Sequence, residues 1–208
     1  MSARRHIEGP AGRLEVLFSL PASGAPARAA AVVGHPHPLH GGTMHTKVVY
    51  RTAKALASLG CAVLRFNFRG VGASAGRFAE GAGEQDDFRA ALDFMAARHP
   101  NVPLWAAGMS FGAYVALTAG AADQRVDRLF GIAPPVDRYD FSTLREVTRA
   151  KYIIHGEHDE ICPLSRTQSL FDELPAPKRL IVIPGANHLF TGKERLVGEA
   201  VASLFREE

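Results

Sequence analysis

An open α/β fold, a mostly parallel twisted sheet with helices on both faces, is what this sequence predicts. Short apolar runs alternate with segments of helical period. Several of the runs are continuous, without the period-two alternation of half-exposed strands, as parallel strands covered on both faces should be. A length of 208 residues suits one hydrophobic core in one domain spanning residues 1–208.

The strand candidates, in chain order, are Arg13–Leu20, Ala29–Gly34, Cys61–Phe66, Leu104–Gly108, Arg128–Ile132, Tyr152–His155 and Arg179–Ile183. The first helical segment, HTKVVYRTAKALASLG, puts Val48, Thr52, Ala55, Leu56 and Leu59 on one face and stops at Gly60, a C-terminal capping residue type. The second, EQDDFRAALDFMAARHP, groups Phe88, Ala91, Leu92 and Met95 and ends before Pro100. FGAYVALTAGAA, SRTQSLFDEL and GKERLVGEAVASLF complete the set. Asp137–Ala150 is the stretch with room for an inserted element, and it is too short for a folded lid. In sheets of this kind, sites gather at the carboxyl ends of the strands.

Composition removes several function classes. With 47% hydrophobic and 22% charged residues and a net charge of +3, the chain has the balance of a soluble globular protein. It carries no basic run or aromatic-interleaved basic stripe, so no nucleic-acid partner is expected. Its apolar runs fall short of the roughly 20 residues a membrane span needs, so no membrane partner is expected either. The opening MSARRHIEGP has no apolar stretch behind it and is not a secretory signal. Cys61 and Cys162 form neither a disulfide framework nor a metal spacing, and a reducing, cytoplasmic setting fits them. The sequence does not choose between a monomer and a homodimer.

Between the Leu104–Gly108 run and the helix after it stands Gly108-Met109-Ser110-Phe111-Gly112. Alone, this is also an ordinary turn. As G-x-S-x-G between strand and helix it is a nucleophile elbow, with small neighbours two positions to either side and helical N–H groups aimed at developing negative charge. A serine hydroxyl needs a base to take its proton, and the base needs a third group to orient it. The expected order is serine, acid, histidine, each past a strand end. Asp159 follows the strand ending at His155, and His188 follows the strand ending at Ile183. Asp137 and Asp140 are the rival acids; His155 and His158 are the rival bases.

GHPHPLHGGTMH packs His35, His37, His40 and His45 into eleven positions. A zinc site is one reading, but the prolines fix extended geometry and no Asp, Glu or Cys cluster accompanies the imidazoles, so no metal is expected. The backbone reading is stronger. Acyl transfer needs two N–H donors on the oxyanion, one following the nucleophile and one from a loop after an early strand. Phe111 supplies the first, and His37, between two prolines that have no N–H, supplies the second. FNFRGVGASAG lacks the G-x-G-x-x-G spacing of a dinucleotide site and reads as a turn bordering the pocket. Its Arg69 is a partner for Asp86 or Asp87.

HPHPLHGG, RFNFRGVGASAG, GMSFG, HGEHD and GANHLF together resemble the α/β-hydrolase superfamily. More narrowly, the chain resembles small lidless bacterial serine hydrolases with an H-P-H-P oxyanion loop, of the dienelactone-hydrolase and carboxylesterase kind. The likeness runs from about Ala29 to Phe205. It implies Ser110 as nucleophile, Asp159 as triad acid, His188 as base, and the N–H groups of Phe111 and His37 as oxyanion donors. Pro36 stands where relatives have glycine, and Asn67 where many have aspartate. The implied activity is hydrolysis of small-molecule carboxylic esters with short or accessible acyl groups, through an acyl-enzyme and without a cofactor. Thioester, amide or acyl-transfer chemistry would use the same triad, and a non-catalytic binding role is the reading from another class. His35, His40 and Met109 are the expected substrate contacts, in a shallow pocket bordered by the His37–His40 loop, the Gly70–Phe78 loop and the Asp137–Ser142 segment.

Overall fold

A computed structural model of the chain describes residues 5–205, so the first four residues of the basic opening segment lie outside the described residues. Eight strands form one sheet: β1 (Arg5–Gly9), β2 (Gly12–Ser19), β3 (Ala29–Gly34), β4 (Cys61–Phe66), β5 (Leu104–Met109), β6 (Val126–Ile132), β7 (Ala150–Gly156) and β8 (Lys178–Ile183). Their order across the sheet is β1-β2-β4-β3-β5-β6-β7-β8. Strands β3 to β8 run parallel, while β1 and β2 form an antiparallel hairpin at one edge.

Five helices cover the faces: α1 (Lys47–Ser58), α2 (Ala82–Arg98), α3 (Phe111–Ala122), α4 (Leu164–Glu173) and α5 (Glu194–Ser203). β3 shows how one strand serves both layers. Ala30 and Val32 pack with α2 and α3, while Ala29, Ala31 and Val33 pack with α1 and α5. All six β3 residues are buried, which explains a run with no polar alternation. α1 buries Val48, Thr52, Ala55 and Leu56, and Gly60 sits at φ +86° just past its end. α2 buries Phe88, Ala91, Leu92 and Met95, but begins at Ala82 because the Glu84 carboxylate accepts the Gly81 and Ala79 N–H groups and closes its first turn.

Two differences from the sequence reading have physical causes. β1 is missing from the predicted set because RHIEG buries Ile7 on an outer edge and offers no apolar run. β7 begins at Ala150, ahead of the predicted Tyr152, because the buried Lys151 ammonium donates to the carbonyls of Val147 (2.6 Å) and Arg149 (2.8 Å). Those carbonyls let a charged residue enter a central strand.

Between β6 and β7 the chain forms only a 3-10 turn, Ser142–Glu146, so no lid covers the carboxyl edge. Among the described residues, no helix is long and apolar enough to cross a membrane. Cys61 and Cys162 are free and buried.

Candidate active site

β5 ends at Met109 and α3 begins at Phe111, leaving Ser110 alone at the junction with φ 53° and ψ −122°. This left-handed conformation is strained for any residue with a Cβ. The surroundings hold it. Ser110 N–H donates to the Ile132 carbonyl on β6 at 2.8 Å, and the Ser110 carbonyl accepts the N–H groups of Ala113 and Tyr114. Gly112 is required here, since a Cβ on it would lie 2.6 Å from the Gly34 carbonyl at the end of β3. Close approach of helix to strand thus fixes where the serine points.

The loops after β7 and β8 bring up the other two groups. His188 Nε2 lies 2.9 Å from Ser110 Oγ, and His188 Nδ1 lies 2.8 Å from Asp159 Oδ2. The second Asp159 oxygen accepts the N–H groups of Ile161 (2.9 Å) and Cys162 (2.8 Å), so the carboxylate cannot rotate freely. His188 N–H donates to the Glu160 carboxylate at 3.1 Å, a support that the sequence left unassigned. Asp159 and His188 are buried, and Ser110 is half-buried at the surface end of the chain of bonds. Burial alone would raise the Asp159 carboxyl. Hydrogen bonds from His188 and the Cys162 N–H, with His188 and His155 alongside, outweigh it and hold the group below the usual carboxylate range. The acid therefore stays ionised and aligned with Nδ1–H.

The rivals are occupied elsewhere. Asp140 accepts both the N–H and the hydroxyl of Ser142 and starts the 3-10 turn, and Asp137 faces Arg166 at 3.7 Å. His158 is exposed beside Glu157. His155 is fully buried, with Nε2 2.8 Å from the Cys162 carbonyl and 3.3 Å from Asp159, and Nδ1 3.3 Å from the Thr167 hydroxyl. It flanks the carboxylate rather than the serine.

The His35–Gly42 loop closes tightly. The His37 carbonyl accepts the N–H groups of His40 and Gly42, and a Cβ on Gly42 would overlap the Pro36 carbonyl. The His37 ring stacks on His40 (4.5 Å between centroids) and packs against the Phe111 ring (5.0 Å), so the histidine-rich loop touches the first residue of α3. Neither the His37 nor the Phe111 N–H has an acceptor among the described residues.

Two expected substrate contacts need correction. The His35 ring is fully buried: Nε2 accepts the Phe68 N–H at 3.1 Å, which leaves Nδ1 to donate to the Pro36 carbonyl at 2.6 Å. Both nitrogens being engaged, His35 braces the loop against the segment after β4 and cannot reach a substrate. Met109 points into the core shared with α1 and α5, because alternate residues of β5 face opposite layers. His40 is exposed and stacks on the His37 ring. Among the described residues, no group of three or more His, Cys, Asp or Glu is arranged to hold a metal ion.

Arg69 meets Asp87 rather than Asp86, through a two-pronged guanidinium–carboxylate pair at 3.0 and 2.7 Å, while Asp86 faces Arg89. Asn67 also finds its reason. Its Oδ1 accepts the Met44 N–H and its Nδ2 donates to Glu15 Oε2, both at 2.8 Å. An aspartate here would set two carboxylates against each other; the amide bridges carboxylate and N–H instead.

Burial pushes the His35 imidazole down to about 4, against a partly opposing hydrogen bond to the Pro36 carbonyl. The unfolded value of 6.5 lies above the folded one, so stability is complete above pH 6.5 and is lost as pH falls toward 4. The loss from this residue is about 3 kcal/mol. Denaturant titrations from pH 7 to 4 should show that component, and His35→Gln, though less stable at pH 7, should have a visibly shallower slope across the window. An equal slope in the variant would reject the assignment.

Comparison with known proteins follows the same lines. The serine aminopeptidase S33 hydrolase model matches residues 30–150, and the model for PhoPQ-activated pathogenicity-related proteins matches residues 105–207. An uncharacterized protein of Rickettsia prowazekii is 36% identical over 94% of this chain and 85% of its own length. An α/β serine hydrolase homologue from Coxiella burnetii superposes with a TM-score of 0.93 at 37% identity, covering 99% of this chain and 98% of the other. A serine hydrolase without a lid from Xanthomonas campestris superposes with a TM-score of 0.91 at 41% identity, covering 99% and 94%.

Proposed function

Because the chain belongs to the α/β-hydrolase superfamily, within the serine aminopeptidase S33 group and among its members without a lid, we propose that it hydrolyses carboxylic esters through a Ser110 acyl-enzyme. The observation that carries the reading is the unbroken line of hydrogen bonds from Ser110 Oγ through His188 to Asp159. His188 Nε2 takes the hydroxyl proton as Ser110 attacks the carbonyl carbon. The tetrahedral oxyanion forms between the N–H groups of Phe111 and His37. His188 then gives the proton to the leaving alcohol. Water, deprotonated by the same nitrogen, attacks the acyl carbonyl and releases the acid and Ser110.

The substrate is a small ester with a short or accessible acyl group. Leu39, Ile161 and Leu189, each within two residues of His37, Asp159 or His188 along the chain, are 68%, 40% and 54% exposed, and no inserted helical element covers them. An uncovered surface of this kind offers little buried area to a long chain. Acetyl and butyryl p-nitrophenyl esters should therefore give kcat/KM at least about tenfold above the laurate. A laurate preference would overturn the acyl-length assignment. A fluorophosphonate probe should label Ser110, and an unlabelled serine would point to a binding protein instead. Matched thioester and amide substrates separate the remaining chemistries; turnover of the amide above the ester would reject the esterase reading.

A further inference from the structure

His155 is a polar ring sealed inside β7 that takes no part in the proton transfers described above. Burial holds its imidazole below the usual value, against the opposing pull of the Cys162 carbonyl and the Asp159 carboxylate. A neutral ring carries one proton, and its neighbours decide which nitrogen has it. Nε2 lies 2.8 Å from the Cys162 carbonyl and 3.3 Å from Asp159 Oδ2, two groups that can only accept. The proton is therefore on Nε2. Nδ1 is left to accept, and the Thr167 hydroxyl, 3.3 Å away on α4 and itself fully buried, is its donor.

These bonds close on the triad acid. The Cys162 peptide is held from both sides, its carbonyl by His155 and its N–H by Asp159 Oδ1. Asp159 Oδ2, the oxygen 2.8 Å from His188 Nδ1, is the one that the His155 N–H approaches. Residues 157–163 contain no helix or strand, so His155 and Thr167 are what tie this loop to β7 and α4. Space filling does not account for an imidazole here. An apolar side chain would occupy the same volume without the cost of burying two ring nitrogens.

We propose that His155 is a positioning residue for the Ser110 reaction, holding the Cys162 peptide and the Asp159 carboxylate, through its Nε2–H, in the arrangement that orients His188. The proposal rests on the reading of Ser110, His188 and Asp159 as a working triad. His155 acts through the acid, with no contact to the serine. Without that N–H the carboxylate is free to turn from Nδ1, and fewer molecules present a bare His188 Nε2 to the hydroxyl. The loss therefore falls on the chemical step and not on substrate binding.

His155→Leu and His155→Gln, made in the full chain, test it. Leucine fills the space without a donor, whereas the glutamine amide can place an N–H near the position of Nε2. His155→Leu should lower kcat for p-nitrophenyl acetate by about tenfold or more with KM changed less than about twofold, and His155→Gln should recover most of the loss. The low-field proton NMR signal of His188 Nδ1–H, identified by its absence from His188→Ala, reads the same alignment without substrate. It should weaken or move upfield in His155→Leu and return in His155→Gln. Wild-type kcat or an unaltered proton signal in His155→Leu overturns the proposal, as does equal loss in the two variants, which is damage to the fold. If His155→Leu fails to fold, Thr167→Val decides: removing the hydroxyl behind the ring should lower kcat by about threefold at unchanged KM, and wild-type kcat there overturns the proposal. A wild type that neither hydrolyses esters nor takes up a fluorophosphonate fails the esterase reading, while the proton signal still reports whether His155 aligns the acid.

Discussion

Ser110→Ala is expected to lower kcat for p-nitrophenyl acetate by about 10⁴-fold or more while leaving the thermal midpoint close to that of the wild type. The loss is large because the hydroxyl forms and breaks the bond to the acyl group; the imidazole and the oxyanion donors cannot replace it. The fold is spared because the strain lies in the backbone, at φ 53°, and the alanine inherits it. Ser110→Gly separates the two effects. Without a Cβ the left-handed conformation is relaxed, so the glycine variant should be about 1 kcal/mol more stable than the wild type and equally inactive. Steady-state kinetics with denaturant titrations on both variants checks the pair. Activity surviving in Ser110→Ala, or a glycine variant less stable than the alanine one, would contradict the elbow as described.

Asp159→Asn should cost about 10³ to 10⁴ in kcat with a smaller change in KM. The reason lies in which atoms face which. Asp159 Oδ1 accepts two backbone N–H groups, so an asparagine will set its carbonyl oxygen there and turn its NH₂ toward His188. Nδ1 must then accept, which places the ring proton on Nε2, facing Ser110. An imidazole protonated at Nε2 cannot take the serine proton. Raising pH does not repair this, because the fault is the tautomer and not the charge, so the variant should stay slow up to pH 9. Recovery to within tenfold of the wild type at alkaline pH would assign Asp159 a purely electrostatic effect.

The identity and order of the parallel elements were legible because each relies on local chemistry. β3 and β4 read as unbroken apolar runs since both faces are covered, and α3 begins at the residue after the serine because the small residues around the elbow permit the turn. The positions of Ser110, Asp159 and His188, each past its own strand, follow from the same regularity. β1 was illegible, because an edge strand needs no apolar run. The histidine-rich loop was only half legible. Its prolines and glycines announced a rigid turn, but the fate of each ring depended on groups far away in sequence: Phe68 for His35, Phe111 for His37.

What the sequence by itself determined is a parallel α/β layering and a serine, an acid and a histidine in register with three strand ends, because burial and turn formation act on neighbouring residues. Tertiary structure alone decided that Asp159 and not Asp140 meets the imidazole, that Arg69 takes Asp87, that His35 is sealed inside, and that Arg65 is left with an unpartnered nitrogen. Each of these is a choice among chemically equivalent partners. Polar side chains reach several ångströms in any direction, so pairing is settled by distance across the fold, which residue spacing along a chain does not encode.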